Sequence, residues 1–352
     1  MIKELLNEES VWEKLLNTDK PVVLYGMGNG ADMILDEFEA LGIKCSGVFA
    51  SDGFVRGQSF RGFKVEKLSD IEARYDDFTV VVAFATQLDS VIQNIVRIST
   101  RRKLLIPCVP VYGNTIVNRG FITENASAIK EAYNILYDEE SKRIFNLSLR
   151  FMFGGELDVL LDTISEKSSV FNTFFKFGEN EDYLDLGAYR GDTVDEFLRF
   201  SGGDYSSVTA VEPDKKSFEK LEKHCEKLYN CTCVNACISD FDGTVNFNNF
   251  AGRQSSVSTK GAEIKSLTVD TLCKNRNVTY LKADIEGSEK QMLLGAAETL
   301  KNLKPKLNIS AYHRSEDFFA IPVLINRLNT NYKIRLRRHK YIPCWDLNYY
   351  CV

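Results

Sequence analysis

In "YLDLGAYRGDTVDEF", Asp185 stands near the end of an apolar strand, Gly187 and Gly191 bracket a loop holding Ala188, and Asp192 opens a polar helix. Backbone N–H groups at such a junction favour an anion or the polar edge of a ligand. The spacing is not that of a dinucleotide fingerprint, and Asp185 and Asp192 would flank the ligand. A diphosphate suits that setting badly; a cation or a zwitterion suits it well. "VTAVEPD" then puts Glu212 at the end of the next strand, 21 positions beyond Gly191. A carboxylate there can accept both hydroxyls of a ribose. The ligand these residues suggest is a nucleoside with a positively charged, zwitterionic tail, a description that S-adenosylmethionine meets.

A second set lies in "YLKADIEGSE". If the strand runs over 279–285, Lys282, Asp284 and Glu286 share one parity. Interior strands of parallel sheets are apolar on both faces, so charges at the C-terminal end point to a site, with a structural Lys282–carboxylate pair as the alternative. His313, one of three histidines, follows the strand "LNISAY". It could act as a base, a metal ligand or a polar cap. Asp284 is the first candidate for a general base. Asp284, Glu286 and His313 together could instead hold a divalent metal that acidifies a hydroxyl, though a metal-free site is preferred. His224 and His339 read as structural.

These residues need elements to position them. The chain reads as α/β throughout. Residues 1–19 look helical, with Ser10 and Glu13 at capping-box spacing. "PVVLYGMGNGADMILDEFEALG" reads as strand, glycine loop and helix, with Gly42 as C-cap, and further strands are "CSGVFA", "TVVVAF" and "KLLIP". In this half, Gly26, Gly28 and Gly30 come close to a dinucleotide fingerprint, and Asp52 follows the second strand near the ribose position. A nucleotide, a nucleotide-sugar or an empty scaffold all fit this pattern. Residues 121–172 read as a helical connector. From 173 the alternation resumes, with strands expected at 182–186, 208–212, 231–238, 279–285 and 307–311. One helix is expected through Met292, Leu293, Ala296 and Leu300, a hairpin turn at Asp242–Gly243, and a terminal pair of strands. The organisation is therefore a nucleotide-binding-type domain over 1–120, the connector over 121–172, and a second domain over 173–352.

Composition narrows the class. The net charge of −5 argues against a dedicated nucleic-acid binder. No apolar run approaches the roughly 20 residues of a spanning helix. The nine cysteines are irregularly spaced, and C-x5-C-x-C-x3-C over Cys225, Cys231, Cys233 and Cys237 is not a standard zinc pattern. They read as reduced thiols, and the chain as cytoplasmic.

The ordered set "DLGAYRGDT", "AVEPD", "ISDFDGTVNF", "VDTL", "KADIEGSE" with "LLGA", "ISAYH" and "RRHKY" resembles the FkbM-type methyltransferases, over about 173–352. The resemblance implies a class I S-adenosylmethionine-dependent fold: a seven-stranded sheet ending in an antiparallel hairpin, here preceded by a smaller Rossmann-like domain. It implies methylation of a hydroxyl on a sugar, glycan or natural product, a small-molecule or glycan acceptor. It also implies that Asp185, Gly187, Ala188, Gly191, Asp192 and Glu212 hold the cofactor, with adenine near Asn235 to Ile238, including Cys237. The competing readings are a nicotinamide-dependent oxidoreductase acting through the first domain, for which only Gln87 and Asp89 offer themselves, and a non-catalytic nucleotide-binding protein.

Overall fold

The computed structural model describes residues 1–248, 256–257 and 262–352. The chain forms two compact units that interleave in sequence. One comprises Met1–Ser127, Arg143–Ile164 and Arg338–Asp346; the other comprises Ala128–Lys142, Ser165–Arg337 and Leu347–Val352.

The first unit holds β1 (Val22–Tyr25), β2 (Cys45–Phe49), β3 (Ser59–Phe60), β4 (Phe63–Glu66), β5 (Thr79–Val82) and β6 (Lys103–Leu105) in the order β3-β4-β2-β1-β5-β6. All neighbours pair in parallel except β3 with β4. β1 and β5 are buried along their whole length, as interior parallel strands must be. The expected helix over 1–19 is two helices, Ile2–Leu5 and Val11–Leu16. Ser10 and Glu13 do form a capping box, but that cap begins a new helix at Val11. β3, β4 and the Leu68–Arg74 helix had no counterpart in the sequence reading.

The second unit is built on β7 (Asp182–Leu186), β8 (Ser207–Val211), β9 (Cys231–Val234), β14 (Tyr280–Ala283), β15 (Lys306–Ser310), β16 (Ile334–Arg338) and β17 (Leu347–Cys351). Among the described residues these make a seven-stranded sheet in the order β9-β8-β7-β14-β15-β17-β16. β17 runs antiparallel to β15, with Ile309 opposite Tyr349. A smaller sheet, β10-β13-β11-β12, is made of β10 (Cys237–Ile238), β11 (Gly243–Asn248), β12 (Ser256–Val257) and β13 (Ala262–Leu267). Aromatic rings fill one side of the main core: Phe171, Tyr183, Phe197, Tyr280 and Tyr350 are all buried. Strand order reverses between β7 and β14, the place where open α/β sheets bind ligands at their C-terminal ends.

Four local expectations fail here, each for a tertiary reason. The strand expected over 231–238 is two strands in different sheets, because the chain turns at Asn235, whose amide donates to the carbonyls of Glu212 and Pro213. Asp242–Gly243 is not a hairpin turn: β10 and β11 both pair with β13 rather than with each other. Asp242 instead accepts from Thr268 N at 2.7 Å and from the Thr271 hydroxyl. The strand expected over 279–285 ends at Ala283, because Glu286 (φ 52) and Gly287 (φ 89) are left-handed. Glu286 therefore does not share a strand face with Lys282 and Asp284. Finally, the helix through Met292 and Leu300 is two, Glu289–Leu294 and Ala297–Asn302, with Gly295 so close to the Ser239 carbonyl that a Cβ would lie 2.2 Å from it.

Among the described residues, no helix is long and apolar enough to cross a membrane.

Candidate active site

The β7 loop is built by backbone contacts. Gly187 N and Ala188 N both donate to the Val211 carbonyl at 3.0 Å, and the buried Lys282 ammonium donates to the Gly187 carbonyl at 3.2 Å. Gly187 has φ 80, and a Cβ on it would lie 2.0 Å from the backbone oxygen of Asp284. Only glycine lets β7 and β14 end so close together. Gly187→Ala is therefore expected to cost at least about 1–3 kcal/mol in strain, before its backbone clash is counted. Gly202→Ala, with φ 70 but nothing near its Cβ, isolates the strain alone. Denaturant melts of the two variants check this; equal losses would show that the β14 end moves aside. Gly191 (φ 100) is the N-cap of the Asp192–Ser201 helix, and its missing Cβ leaves room for the His224 ring. His224 Nε2 lies 2.9 Å from Asp195 Oδ1 on that helix.

Asp185 is fully buried. One of its oxygens accepts from Thr193 Oγ1, and the other lies 3.4 Å from Lys282 Nζ. Burial works against the Lys282 charge, but the carboxylates of Asp185, Asp284 and Asp192 outweigh it and raise its pKa. Lys282 thus ties the Gly187 loop to Asp185, a positioning role. Asp192 is exposed at the first helical position.

Glu212 follows β8 directly. Its two oxygens accept from Tyr189 N at 2.9 Å and Asp214 N at 2.8 Å, leaving further lone pairs on each. Burial pushes its pKa up to about 7, against those backbone donors. Asn235, with its amide on the Glu212 and Pro213 carbonyls, shapes this corner, and Cys237 beyond it is buried. Burial, aided by the charge of Glu212, raises the Cys237 thiol to about 12.

The charged cluster lies at the ends of β14 and β15. His313, 1 % exposed, stands between two carboxylates: Nδ1 is 2.8 Å from Glu289 Oε1 and Nε2 is 3.2 Å from Asp284 Oδ1. Glu286 Oε2 is more distant, 3.6 Å from Nε2. Tyr312 donates to Asp284 Oδ1 at 3.1 Å. Burial opposes the imidazolium, but the charges of Glu289 and Asp284 outweigh it and lift His313 well above its ordinary value. Burial likewise opposes the Asp284 charge, but the hydrogen bond from His313 and the Lys282 ammonium hold it well below the usual carboxylate range. In this arrangement His313 carries the proton and Asp284 is an ionised acceptor, about one third exposed.

Glu289 is the residue sequence reading missed. It is wholly buried, and its Oε1 also accepts from Ile285 N at 2.9 Å. The sequence offered "IEGSE" with two glutamates, and the nearer one to the strand looked the better candidate. Asp284, Glu289 and His313, not Asp284, Glu286 and His313, present three possible metal ligands within 4.8 Å of one another.

In the first unit, a cavity of about 690 Å³ is lined by Tyr25, Ser51, Asp52, Glu72, Asn94 and Arg97 among others. Asp52 is at its wall. Gly26, Gly28 and Gly30 are not, so the glycine loop and the ribose-position acid are not brought together around this space. Gly26 (φ 111) instead clears the Phe84 ring, and Gly30 packs on the Ala83 carbonyl.

The sheet order third-second-first-fourth-fifth-seventh-sixth, with the seventh strand antiparallel, is that of the class I methyltransferase fold. Residues 185–341 match the family model described as the methyltransferase FkbM domain. That match supports an S-adenosylmethionine-dependent methyltransferase. Among solved structures, methyltransferase FkbM from Methylobacillus flagellatus KT is similar over the whole of this chain and 93% of its own, at 19% identity and a TM-score of 0.70. Precorrin-6y C5,15-methyltransferase from Geobacter metallireducens covers 53% of this chain and 90% of its own (11% identity, TM-score 0.33). Aeropyrum pernix fibrillarin with bound S-adenosyl-L-methionine covers 50% and 67% (10% identity, TM-score 0.33). No curated protein sequence matches the chain.

Proposed function

We propose that the enzyme transfers the methyl group of S-adenosylmethionine to a hydroxyl, and that Asp284 receives the hydrogen bond of that hydroxyl. The carrying observation is the partly open Asp284 carboxylate, kept ionised by Tyr312, His313 and Lys282 beside the Gly187 loop. An amine acceptor must be neutral to attack, and a strongly ionised carboxylate would instead hold it as ammonium. A neutral O–H suits that carboxylate better. A sugar, glycan or related natural product as acceptor rests on the FkbM-type motifs alone. A cytoplasmic setting belongs to the same proposal and rests on the thiol-rich composition. The test is methyl transfer from labelled cofactor to a panel of sugars and simple amines, with and without chelator. Transfer to amines only would overturn the hydroxyl reading. Loss on chelation with recovery on added Mg²⁺ or Mn²⁺ would assign a metal to Asp284, Glu289 and His313.

On the same reading, Asp185, Gly187 and Glu212 hold the cofactor, Glu212 through the ribose hydroxyls. Glu212→Ala is expected to weaken cofactor binding by about 1.5–3 kcal/mol, roughly 10- to 150-fold. Because Glu212 titrates near 7, wild-type affinity should also fall as pH drops below neutrality. Calorimetry across pH reads both effects. Unchanged affinity in the variant, with the pH slope intact, would remove Glu212 from the ribose site.

A second activity for the first unit is favoured by its polar cavity, which suits a small ligand such as a nucleotide or nucleotide-sugar. For hydride transfer, Asp89 is poorly disposed, being paired with Lys340. Thermal-shift screening of ligand-free protein against nicotinamide cofactors and nucleotide-sugars tests this; no stabilisation by any of them favours an empty scaffold.

A further inference from the structure

The sulfurs of Cys225, Cys231 and Cys233 lie within 4.8 Å of one another, outside the charged cluster described above. The sequence spacing hides this, because the sulfurs converge through tertiary packing. Cys231 and Cys233 alternate on β9, so both side chains project from the same face. Cys225 is the last residue of the Lys215–Cys225 helix, which packs against that strand. β9 is the edge strand of the seven-stranded sheet. Cys225 is buried in the core, and the two strand cysteines are half-buried against it.

We infer that this triad is a binding site for a thiophilic cation of the Zn²⁺ class, held by three thiolates with one position left to solvent. Zn–S bonds of about 2.3 Å require sulfurs about 3.8 Å apart in a tetrahedral site. Sulfurs already within 4.8 Å need only small rotations to reach that spacing. On binding, each thiol gives its proton to solvent. A disulfide explains the arrangement less well. Residues two apart on a strand have Cα atoms about 6.7 Å apart, at the far limit for a bridge, so Cys231 and Cys233 are poorly disposed to join. Any bridge from Cys225 would leave one of the three sulfurs without a role. His224, next to Cys225, is held by Asp195 and is not needed as a ligand.

The site would staple the helix between β8 and β9 to the edge strand. That segment carries Glu212 just before the helix and Asn235 just after β9. The metal assignment does not depend on the acceptor chosen above.

The experiment is titration of the full chain, reduced with a non-thiol reductant and stripped of metal, with Zn²⁺ in competition with a chromophoric chelator. Cd²⁺ serves as a second probe, through the ultraviolet absorbance of its thiolate bonds. One ion per chain is expected, with a three-thiolate absorbance step and a higher Tm when Zn²⁺ is bound. The double variant Cys231→Ser and Cys233→Ser should lose about 100-fold or more in affinity while still binding S-adenosylmethionine, which reports that it folds. Cys225→Ser alone should reduce the absorbance step by a third. No stoichiometric ion, or one that survives the double substitution, overturns the assignment. So does a disulfide from Cys225 to either strand cysteine in protein purified without reductant.

Discussion

Asp284→Asn is expected to bind S-adenosylmethionine nearly as wild type and to lose roughly 10²- to 10⁴-fold in turnover, the range for loss of an acid–base group. The substitution keeps the side chain's shape and its contact with Tyr312, but it removes the charge that faces His313 Nε2. Methyl transfer from a sulfonium needs in-line approach of the acceptor oxygen, so positioning carries much of the rate. Asp284 would fix the hydroxyl through a hydrogen bond and take its proton during or after attack. Its carboxyl lies below the usual range, so it stays ionised and able to act until pH falls through that depressed value. The pH–rate profile measured with saturating cofactor should therefore show no inflection from Asp284 between pH 5 and 8. A neutral His313 base would instead give a limb displaced to the alkaline side of about 6.5, because Glu289 and Asp284 raise the His313 pKa. Near-wild-type turnover in Asp284→Asn would withdraw Asp284 from the reaction and leave His313 as the next residue to replace.

Glu289→Ala should lower stability by about 3–5 kcal/mol, the usual effect of removing one partner from a buried ion pair. For a unit of this size that corresponds to a Tm fall of roughly 6–20 °C. Glu289 is wholly buried against a His313 that is itself 1 % exposed, so its removal leaves a buried imidazole without that carboxylate, and Ile285 N also loses its acceptor. Glu289→Gln keeps that hydrogen bond and removes only the charge, so it should cost less and act mainly on His313. The His313 pKa is raised in the folded chain, so the pair's contribution is fully present below about pH 6.5 and disappears as pH rises through the raised value. The stability gap between wild type and Glu289→Gln should therefore narrow on the alkaline side. With only three histidines in the chain, proton NMR can follow His313 directly and should find its pKa lowered in the variant. A Glu289→Ala protein as stable as wild type, with His313 titrating as before, would mean that the 2.8 Å pair carries no energy.

Much of the fold was legible because its determinants are local. Runs such as "VVLY" and "TVVV" have no polar face and must lie inside a parallel sheet. Gly42 closes its helix in the left-handed conformation, and Ser10 with Glu13 starts another, through contacts three or four residues apart. The terminal strands around "RRHKY" follow from β propensity with no helix between them, and they extend the sheet beyond β15. Asp185 and Glu212 could be singled out because a carboxylate at the end of an apolar strand is anomalous in any context.

Where distant segments compete for the same group, local reasoning could not decide. Asp242 looked like half of a turn, but its carboxylate is used by Thr268 and Thr271, 26 and 29 positions away. Lys282 looked catalytic from its parity, yet its ammonium is spent on Asp185 and the Gly187 carbonyl across the neighbouring strand. Glu286 and Glu289 are equivalent in composition. The left-handed turn at Glu286–Gly287 sends the chain into a new helix whose first residue, Glu289, meets His313 from β15's far end. The three clustered thiols come from a helix end and an edge strand. Sequence alone therefore determined the alternation of elements and the acids worth watching, because hydrophobic period and backbone conformation act over a few residues. Tertiary structure alone decided which charges pair, because burial removes water as a partner and leaves each group only the neighbours that the packed strands bring to it.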